Sequence, residues 1–355
     1  STIATGAASA KETMNGALAT RYSVDIVAMG DDISQQMVKD VSDINGVSDT
    51  LYAPAVSVTL EKADGTQPTS ALLVGVKNID QVKQVMRANL GNASIDSDSV
   101  LMPTYNAQTG KELQFANGTA DFSTEWNQDG DATRSLTLQA NQADYRRVSA
   151  QYGAVGFVDE SHFTNGDLDA ATHVLLVKAD TDKSGVSVDG IYNDMQAALE
   201  KSADATVTGP IAERIVWANM IDSMMMLLVG LIAVAVLIAL VGVANTLSLS
   251  VIERTRESAT LRAIGMTRGQ LRRSLAVEAL LISLVSGISG VLLGTLFGWL
   301  GAYVVFSMYG KVVFPFEWGI NGIVLAVAAV AALLASVFPA RRAVSTPPVE
   351  ALAEA

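Results

Sequence analysis

Three long stretches without a charged residue constrain the fold more than any other feature of the sequence. They comprise 30 residues from Ser223 to Ile252, 32 from Ala279 to Gly310 and 22 from Gly319 to Ala340. A helix needs about 20 apolar residues to cross a bilayer, and runs this long suit the core of a soluble domain poorly. The sequence therefore predicts three transmembrane helices, the first two long enough to tilt or to protrude.

Charge divides the chain into two parts. Residues 1–217 carry 15 basic and 29 acidic side chains, for a net charge of −14, whereas residues 218–355 carry 9 and 7, for +2. The first part is therefore typical of a soluble domain and the second of a membrane-embedded one. The acidic balance argues against nucleic acid as a partner, which needs a basic footprint. A requirement for solubility explains this negative charge best, and binding of cationic ligands is the alternative.

Arginines predict the orientation in the membrane. The segment 253–275 has six arginines against two glutamates, and Arg341 and Arg342 follow the third span. The positive-inside rule places both regions in the cytoplasm, so residues 1–217 lie outside. We expect a multi-pass protein of the bacterial cytoplasmic membrane. Because residues 1–20 contain no signal sequence, we also expect a transmembrane helix or signal ahead of Ser1.

The outer half has a mixed α/β pattern. Its middle, about 96–170, is rich in Asn, Asp, Gly and Gln with short β-like runs, and we interpret it as an inserted, mostly β subdomain. Pro210 suits the first position of a helix that continues into the first span. The pattern predicts strands at 23–29, 54–60, 70–76, 172–179 and 205–208, and helices at 32–45, 188–201 and one capped by Asp80.

These observations predict an α+β extracytoplasmic domain on stalk helices, joined to an α-helical bundle with three spans. The predicted divisions are a stalk helix at 1–21, the outer domain at 22–209, a stalk and transmembrane helix at 210–252, a cytoplasmic segment at 253–275, transmembrane helices at 276–310 and 318–340, and a cytoplasmic tail at 341–355.

The sequence offers no catalytic constellation. His162 and His173 are its only histidines, and neither lies in a cluster with ligand spacing. Residues 127–131 resemble a calcium loop only faintly, so an Asp-rich turn is the better interpretation. A P-loop is also absent. We therefore predict no metal, no cofactor and no enzymatic activity in this chain alone.

The cytoplasmic segment and the C-terminus carry a family resemblance. Residues 245–268 run NTLSLSVIERTRESATLRAIGMTR, and residues 339–352 run PARRAVSTPPVEAL. Both resemble the FtsX/MacB-type (type VII) ABC transporter permeases, over about the last 140 residues. In the outer half only the order of elements is similar, to the MacB periplasmic domain with its porter-like α/β lobe.

The resemblance implies a permease that pairs with a separate ATPase subunit, which binds the ATP and Mg²⁺. Its outer domain would move as ATP is hydrolysed and would export or extract a peptide, drug or lipoprotein. The alternatives are a scaffold that activates a cell-wall hydrolase, or a sensor of antimicrobial peptides. Family members dimerise. The chain is either a trimmed four-span permease that pairs with a second copy, or the second half of a ten-span protein.

The resemblance also implies site residues. A short cytoplasmic helix would dock in a groove of the ATPase, with Leu261 and Ile264 as the apolar contacts. The coupling residues expected are Glu253, Arg254, Arg256, Glu257, Leu261, Arg262, Ala263, Ile264 and Gly265, and the cytoplasmic tail is expected to contribute Pro339, Arg341 and Arg342.

Glycines in the second span predict close helix packing. Gly290, Gly294 and Gly298 recur every four residues and fall on one helix face, and Gly287 lies nearby. We favour packing within this chain, with subunit dimerisation as the alternative.

Overall fold

A computed structural model describes residues 2–61, 68–126, 132–253, 264–307 and 312–345. The chain divides into two units. One comprises Asn15–Trp217 and is called the α/β unit. The other comprises Ser1–Met14 with Ala218–Ala355 and is called the helical unit. Helices α1 (Thr2–Arg21) and α6 (Pro210–Glu253) each contribute residues to both units.

The α/β unit contains nine strands in the part of the chain that the structure describes. They are β1 (Ile26–Gly30), β2 (Val47–Glu61), β3 (Thr69–Val76), β4 (Ser99–Pro103), β5 (Thr119–Trp126), β6 (Ala132–Ala143), β7 (Ala154–Asp159), β8 (Thr172–Ala179) and β9 (Thr206–Thr208). Four short helices accompany them: α2 (Gln35–Ser42), α3 (Ile79–Val85), α4 (Ser161–Thr164) and α5 (Val188–Leu199).

Strand β2 is long enough to belong to two substructures. Its second half pairs with both β3 and β5, and the pairings β3–β7, β7–β4, β4–β6 and β6–β5 close a ring of six strands. Alternate residues of β2 point into this barrel because side chains alternate between the two faces of a strand. Leu60 meets Leu73, Met102 and Phe122 there, and all four are fully buried.

The first half of β2 belongs to a four-stranded antiparallel sheet in the order β2-β8-β1-β9. Helix α5 buries Ile191, Met195 and Leu199, which recur every four residues and so form one apolar face. That face packs with α2 on the sheet, over a core that includes Leu175 and Val177.

Several predicted elements have different bounds in the structure. The strand predicted at 23–29 begins at Ile26, and the one predicted at 54–60 extends over 47–61. The cap of α3 is Asn78, whose side chain accepts a hydrogen bond from the Gln81 amide; Asp80 lies in the first turn. The segment 96–170 does not build a sheet alone, because β4–β7 close their barrel only with β2 and β3.

The helical unit contains α6 from Ala218 onward, α7 (Arg268–Phe306), α8 (Trp318–Ser345) and the beginning of α1. Two apolar stretches are long enough to cross a membrane: Pro210–Gly242 and Ala276–Val305, which contain 18-residue windows with mean hydropathies of 3.1 and 2.1. The described apolar stretch of α8, Trp318–Ala331, is shorter, so the third span stays a prediction. The fold is thus a mixed α/β domain with two long apolar helices.

Candidate functional site

The predicted coupling segment lies between α6 and α7. Helix α6 ends at Glu253, and α7 begins at Arg268. Of the residues between them, the structure describes only those from Ile264 onward. The docking contacts therefore stay a prediction. The predicted coupling residues outside the described part are Arg254, Arg256, Glu257, Leu261, Arg262 and Ala263.

The described end of this segment is a turn that starts α7. Gly265 has a φ of +109°, a conformation that favours glycine. The Thr267 hydroxyl then accepts a hydrogen bond from the Gln270 amide at 3.3 Å, and the Gln270 side chain accepts one from the Thr267 amide at 2.9 Å. This reciprocal capping box fixes the first turn of α7. Its Thr-x-x-Gln signature is visible in the sequence but was missed.

The same turn exposes an apolar side chain beside basic residues. Ile264 is 79% exposed, and moving a side chain of its size from water into an apolar groove contributes about 2 kcal/mol. Arg268, Arg272 and Arg273 fall in the first two turns of α7.

The glycines of α7 are divided between a packed face and an open one. A Cβ on Gly287 would lie 2.9 Å from the Leu325 Cδ2 atom of α8, so the two helices approach closely there. The buried residues Val291, Thr295, Gly298 and Ala302 continue the packed face.

The other two predicted glycines lie away from the centre of that face. Gly294 is half-buried at its margin. Gly290 is exposed, and no described side chain or neighbouring backbone lies within 4 Å of its Cβ position. Among the described residues, Gly287 meets α8, Gly298 is buried, and Gly290 has an open surface beside it.

The predicted tail residues fall within a helix. Pro339, Arg341 and Arg342 belong to the last turns of α8, which continues to Ser345 rather than ending at 340. The remainder of the tail, 346–355, lies outside the described residues.

Helix α1 joins the helical unit through a row of hydroxyl groups that the sequence analysis missed. Thr5, Ser9 and Thr13 recur every four residues and are all buried. The Ser9 hydroxyl donates to the Val313 carbonyl, and the Val313 amide donates to the Thr13 hydroxyl at 3.4 Å. The segment just before α8 is thereby held on α1. The signal was the four-residue spacing of small hydroxyl residues in a helix of otherwise weak amphipathicity.

A salt bridge links α1 to α6 in the same unit. The Lys11 Nζ atom lies 2.5 Å from the Asp222 Oδ1 atom. The Asp222 side chain is 60% exposed, and an exposed pair of this kind contributes at most about 1 kcal/mol. Its contribution to the stability of the fold is therefore small.

In the α/β unit the end of α1 is bound to the start of α6. The Tyr22 hydroxyl donates a hydrogen bond to the Glu213 carboxylate, and the Arg147 guanidinium lies 5.6 Å from the centroid of the tyrosine ring. Burial, followed by the neighbouring Glu213 carboxylate, raises the pKa of Tyr22 to about 12. The phenol therefore stays neutral at physiological pH and remains a donor.

A second junction lies beside the first. Asp25 accepts two hydrogen bonds from Arg87, from Nε at 2.6 Å and Nη2 at 2.8 Å, and one from the Ala179 amide at 2.8 Å. Arg87 also donates to the Ala179 carbonyl at 2.6 Å. The hydrogen bond with Asp25 raises the pKa of Arg87. The bidentate pair holds the end of α3 against β1 and β8.

The histidines have structural contacts. His162 is buried, and its ring nitrogens lie 2.8 Å from the Asp167 carboxylate and 2.8 Å from the Ser97 carbonyl. His173 stacks on Tyr52 with the ring centroids 5.2 Å apart. Within the described ranges, no group of three or more histidine and acidic side chains could hold a metal ion. The calcium-like loop at 127–131 lies outside those ranges.

Comparison with known proteins finds a family match for residues 229–348, and the family is described as FtsX-like permease C-terminal. A macrolide export ATP-binding/permease protein MacB of Aeromonas hydrophila is 33% identical over 114 residues, which are 32% of this chain and 17% of that protein. An uncharacterized ABC transporter permease of Methanocaldococcus jannaschii is 27% identical over 178 residues, 48% of this chain and 44% of that protein. The chain thus spans less than half the length of either relative.

Solved structures match the chain only weakly. The periplasmic region of MacB from Actinobacillus actinomycetemcomitans covers 56% of this chain with 94% of its own length, at 10% identity and a TM-score of 0.30. The extracellular domain of YknZ from Gram-positive bacteria covers 53% with all of its length, at a TM-score of 0.27. The identification rests instead on residues 229–348 and on the sequence relatives. The protein is a membrane protein with an FtsX-like permease C-terminal domain, and it is a distant homologue of the MacB-type ABC transporter permeases.

Proposed function

We propose that this chain is the permease subunit of an ABC transporter in which a separate ATPase drives movement of an extracytoplasmic α/β unit. In this scheme the partner binds ATP and Mg²⁺, and the movement exports or extracts a peptide, drug or lipoprotein. One observation carries the proposal: the FtsX-like permease match over 229–348. That range includes the second part of α6, the whole segment to α7, and α7 itself.

The topology we propose has three spans, with the α/β unit outside and the segment 253–275 inside. The apolar stretches in α6 and α7 support two of the spans. The arginines between those helices support the cytoplasmic side of the segment.

The proposed ATPase contact is the segment from Glu253 to Gly265. The exposed Ile264 supports it, because a solvated apolar side chain beside a rigid turn is ready to enter a partner groove. The capping box at Thr267 also supports this contact, because Thr267 is the N-cap of α7 and follows the turn directly. A force on the segment then acts directly on a helix.

The continuity of α1 and α6 supports the transmission of that force. Both helices contribute residues to the helical unit and to the α/β unit. They are bound together within each unit, by Lys11 and Asp222 in one and by Tyr22 and Glu213 in the other. We propose that a displacement passes along these two helices.

The test is to tag the full-length parent in its host, solubilise membranes gently and identify the proteins that co-purify. We expect a P-loop ATPase in stoichiometric amount, and its loss in Arg262→Glu and Leu261→Asp variants that still insert in the membrane. Arg273→Glu is the matched control, because it makes the same charge change in the basic region but outside the proposed contact.

Two results would contradict the proposal. One is the absence of any ATPase under conditions that preserve other membrane complexes. The other is undiminished ATPase recovery with both variants. A cell-wall hydrolase among the bound proteins, with no transport in vesicles, would instead favour the scaffold function.

A further inference from the structure

The ring of His162 lies between two hydrogen-bond acceptors. His162 is the second residue of α4 and is 5% exposed. Its Nδ1 atom lies 2.8 Å from the Asp167 Oδ2 atom, and its Nε2 atom lies 2.8 Å from the Ser97 carbonyl oxygen. A carbonyl oxygen can only accept a hydrogen bond, and so can an ionised carboxylate. Both ring nitrogens must therefore donate, since a bare nitrogen would place two lone pairs against each other.

The Asp167 carboxylate does not supply the second proton. The hydrogen bond from His162 lowers the pKa of Asp167, and a hydrogen bond from Asn165 lowers it further. The Asp167 side chain is 44% exposed, so water also stabilises its ionised form. With the carboxylate ionised, the second proton of the contact lies on the imidazole ring.

The charged groups around the ring favour a positive ring. Helix α4 packs on β3, and the segments before β4 and β8 supply the two acceptors. Hydrogen bonds from Ser161 lower the pKa of Asp159, and the positive charge of His162 adds to this effect. The charged side chains on and beside these elements, and on β6, are six acidic ones, Asp96, Asp98, Asp159, Glu160, Asp167 and Asp169, and two basic ones, Lys77 and Arg134.

The ring joins segments that are distant in the sequence. Ser97 lies just before β4, and Asp167 lies in the loop that leads from α4 to β8. The Leu168 amide also donates to the His162 carbonyl at 2.8 Å, and Leu168 is buried in the barrel core. The contacts of one residue therefore fix both the entry to β4 and the loop that leaves the barrel.

From the two acceptors, the burial and the ionised carboxylate, we infer that His162 is a doubly protonated ring that clamps these segments, and that loss of one ring proton at alkaline pH breaks the clamp. A neutral ring donates to only one of its two partners. The clamp is complete where the ring carries both protons and Asp167 is ionised. It is lost as the pH rises and the ring releases a proton, and also below about pH 4, where the carboxylate is protonated.

The inference concerns the α/β unit alone and is independent of the proposed ATPase coupling. Its first test counts the ring protons directly. The full chain is labelled with ¹⁵N-histidine, purified through a histidine-free tag and reconstituted in lipid bilayers. Solid-state NMR then distinguishes protonated from bare ring nitrogens at about pH 7.5, above the ordinary range of a free histidine. His173→Gln leaves His162 as the only histidine, and we expect both of its ring nitrogens to be protonated.

Asp167→Asn in the same background is the discriminating variant. It keeps the shape of the side chain but provides an amide that donates, so a neutral ring then satisfies both partners. Nε2 still donates to Ser97, and Nδ1 accepts from the new amide. We expect one bare ring nitrogen in this variant at the same pH. Asp169→Asn is the matched control, because it makes the same charge change on an exposed side chain two residues away, and it should leave both nitrogens protonated.

Hydrogen exchange on the full chain tests whether the proton holds the segments. After correction for the intrinsic rate at each pH, the protection of the Leu168 amide should fall roughly tenfold as the ring loses its second proton, because one hydrogen bond to a charged group is lost. Asp167→Asn should show no such fall. A bare nitrogen on His162 at about pH 7.5, a second ring proton retained in Asp167→Asn, or Leu168 protection that does not change when the ring is deprotonated would each overturn the inference.

Discussion

The hydrogen bond between Tyr22 and Glu213 gives the most direct measure of how firmly α1 and α6 are connected. Tyr22→Phe removes one hydroxyl and keeps the ring that contacts Arg147. A hydrogen bond to a charged group contributes about 1.5–3 kcal/mol. Glu213 is only half-buried, so water replaces part of the lost bond, and we expect a loss of about 1–2 kcal/mol. The population of locally opened molecules then rises roughly 5- to 30-fold.

Hydrogen exchange on the full chain in nanodiscs measures this loss where it occurs. The first turn of α6 is protected by the bond from the Glu213 amide to the Gly209 carbonyl at 2.9 Å and from the Ile211 amide to the Asp25 carbonyl at 3.3 Å. Peptides that cover these amides should exchange faster in Tyr22→Phe, whereas barrel peptides should not. Tyr192→Phe is the matched control, because that hydroxyl accepts a hydrogen bond from the exposed Gln196 side chain and has no other hydrogen-bond partner among the described residues.

The pH dependence gives an independent check with a defined sign. Because the pKa of Tyr22 is raised from 10.0 to about 12, the folded state favours the neutral phenol. Its contribution is complete below about pH 10 and is lost as the pH rises toward about 12. The difference in tyrosinate absorbance between wild type and Tyr22→Phe should therefore titrate near pH 12. Titration near pH 10, or unchanged exchange at the start of α6, would refute the assigned hydrogen bond.

Three further changes test the packing of each unit. Gly287→Leu should lower the melting temperature in detergent, because overpacking against α8 costs about 1–3 kcal/mol; Gly290→Leu should not, and an equal loss there would instead point to a contact between subunits. Phe122→Ala should destabilise the barrel by about 3–5 kcal/mol in urea unfolding of the full chain, because this ring is fully buried; a loss under 1 kcal/mol would contradict the closed barrel. Arg87→Lys should cost about 1 kcal/mol, seen as faster exchange of the Ala179 amide, because lysine cannot form the bidentate contact with Asp25; unchanged exchange would count against that contact.

Local pattern predicted the strongly periodic elements well. The run 172–179 is a strand over the predicted range, and α5 has the apolar spacing that its helix requires. Both depend on interactions within a few residues or on one continuous face. The bounds of β2 were missed because its polar first half, which includes Asp49, does not alternate cleanly. That half is held by pairing with β8, which lies more than a hundred residues away.

The barrel could not be predicted either, because it also depends on pairing between strands that are distant in the sequence. Its closure depends on β2 pairing with two different strands over neighbouring stretches: Thr59 faces both Ser70 and Ser123. No local pattern encodes which strands meet. The composition of 96–170 correctly indicated short β-strands, but not that β2 and β3 would complete their ring.

The coupling segment was predicted from the sequence, whereas the fold does not determine its contacts. Its predicted contacts involve a partner, so neither the fold nor the burial of this chain selects them, and the family resemblance carried the prediction. What the structure adds is local: Gly265 and the cap at Thr267 form a turn that begins α7. A segment that only anchored the chain to lipid headgroups would need positive charge but no such turn. The exposed Ile264, the positive-φ glycine and the capping box are compatible with the proposed contact, and the Leu261→Asp and Arg262→Glu variants test whether that contact exists.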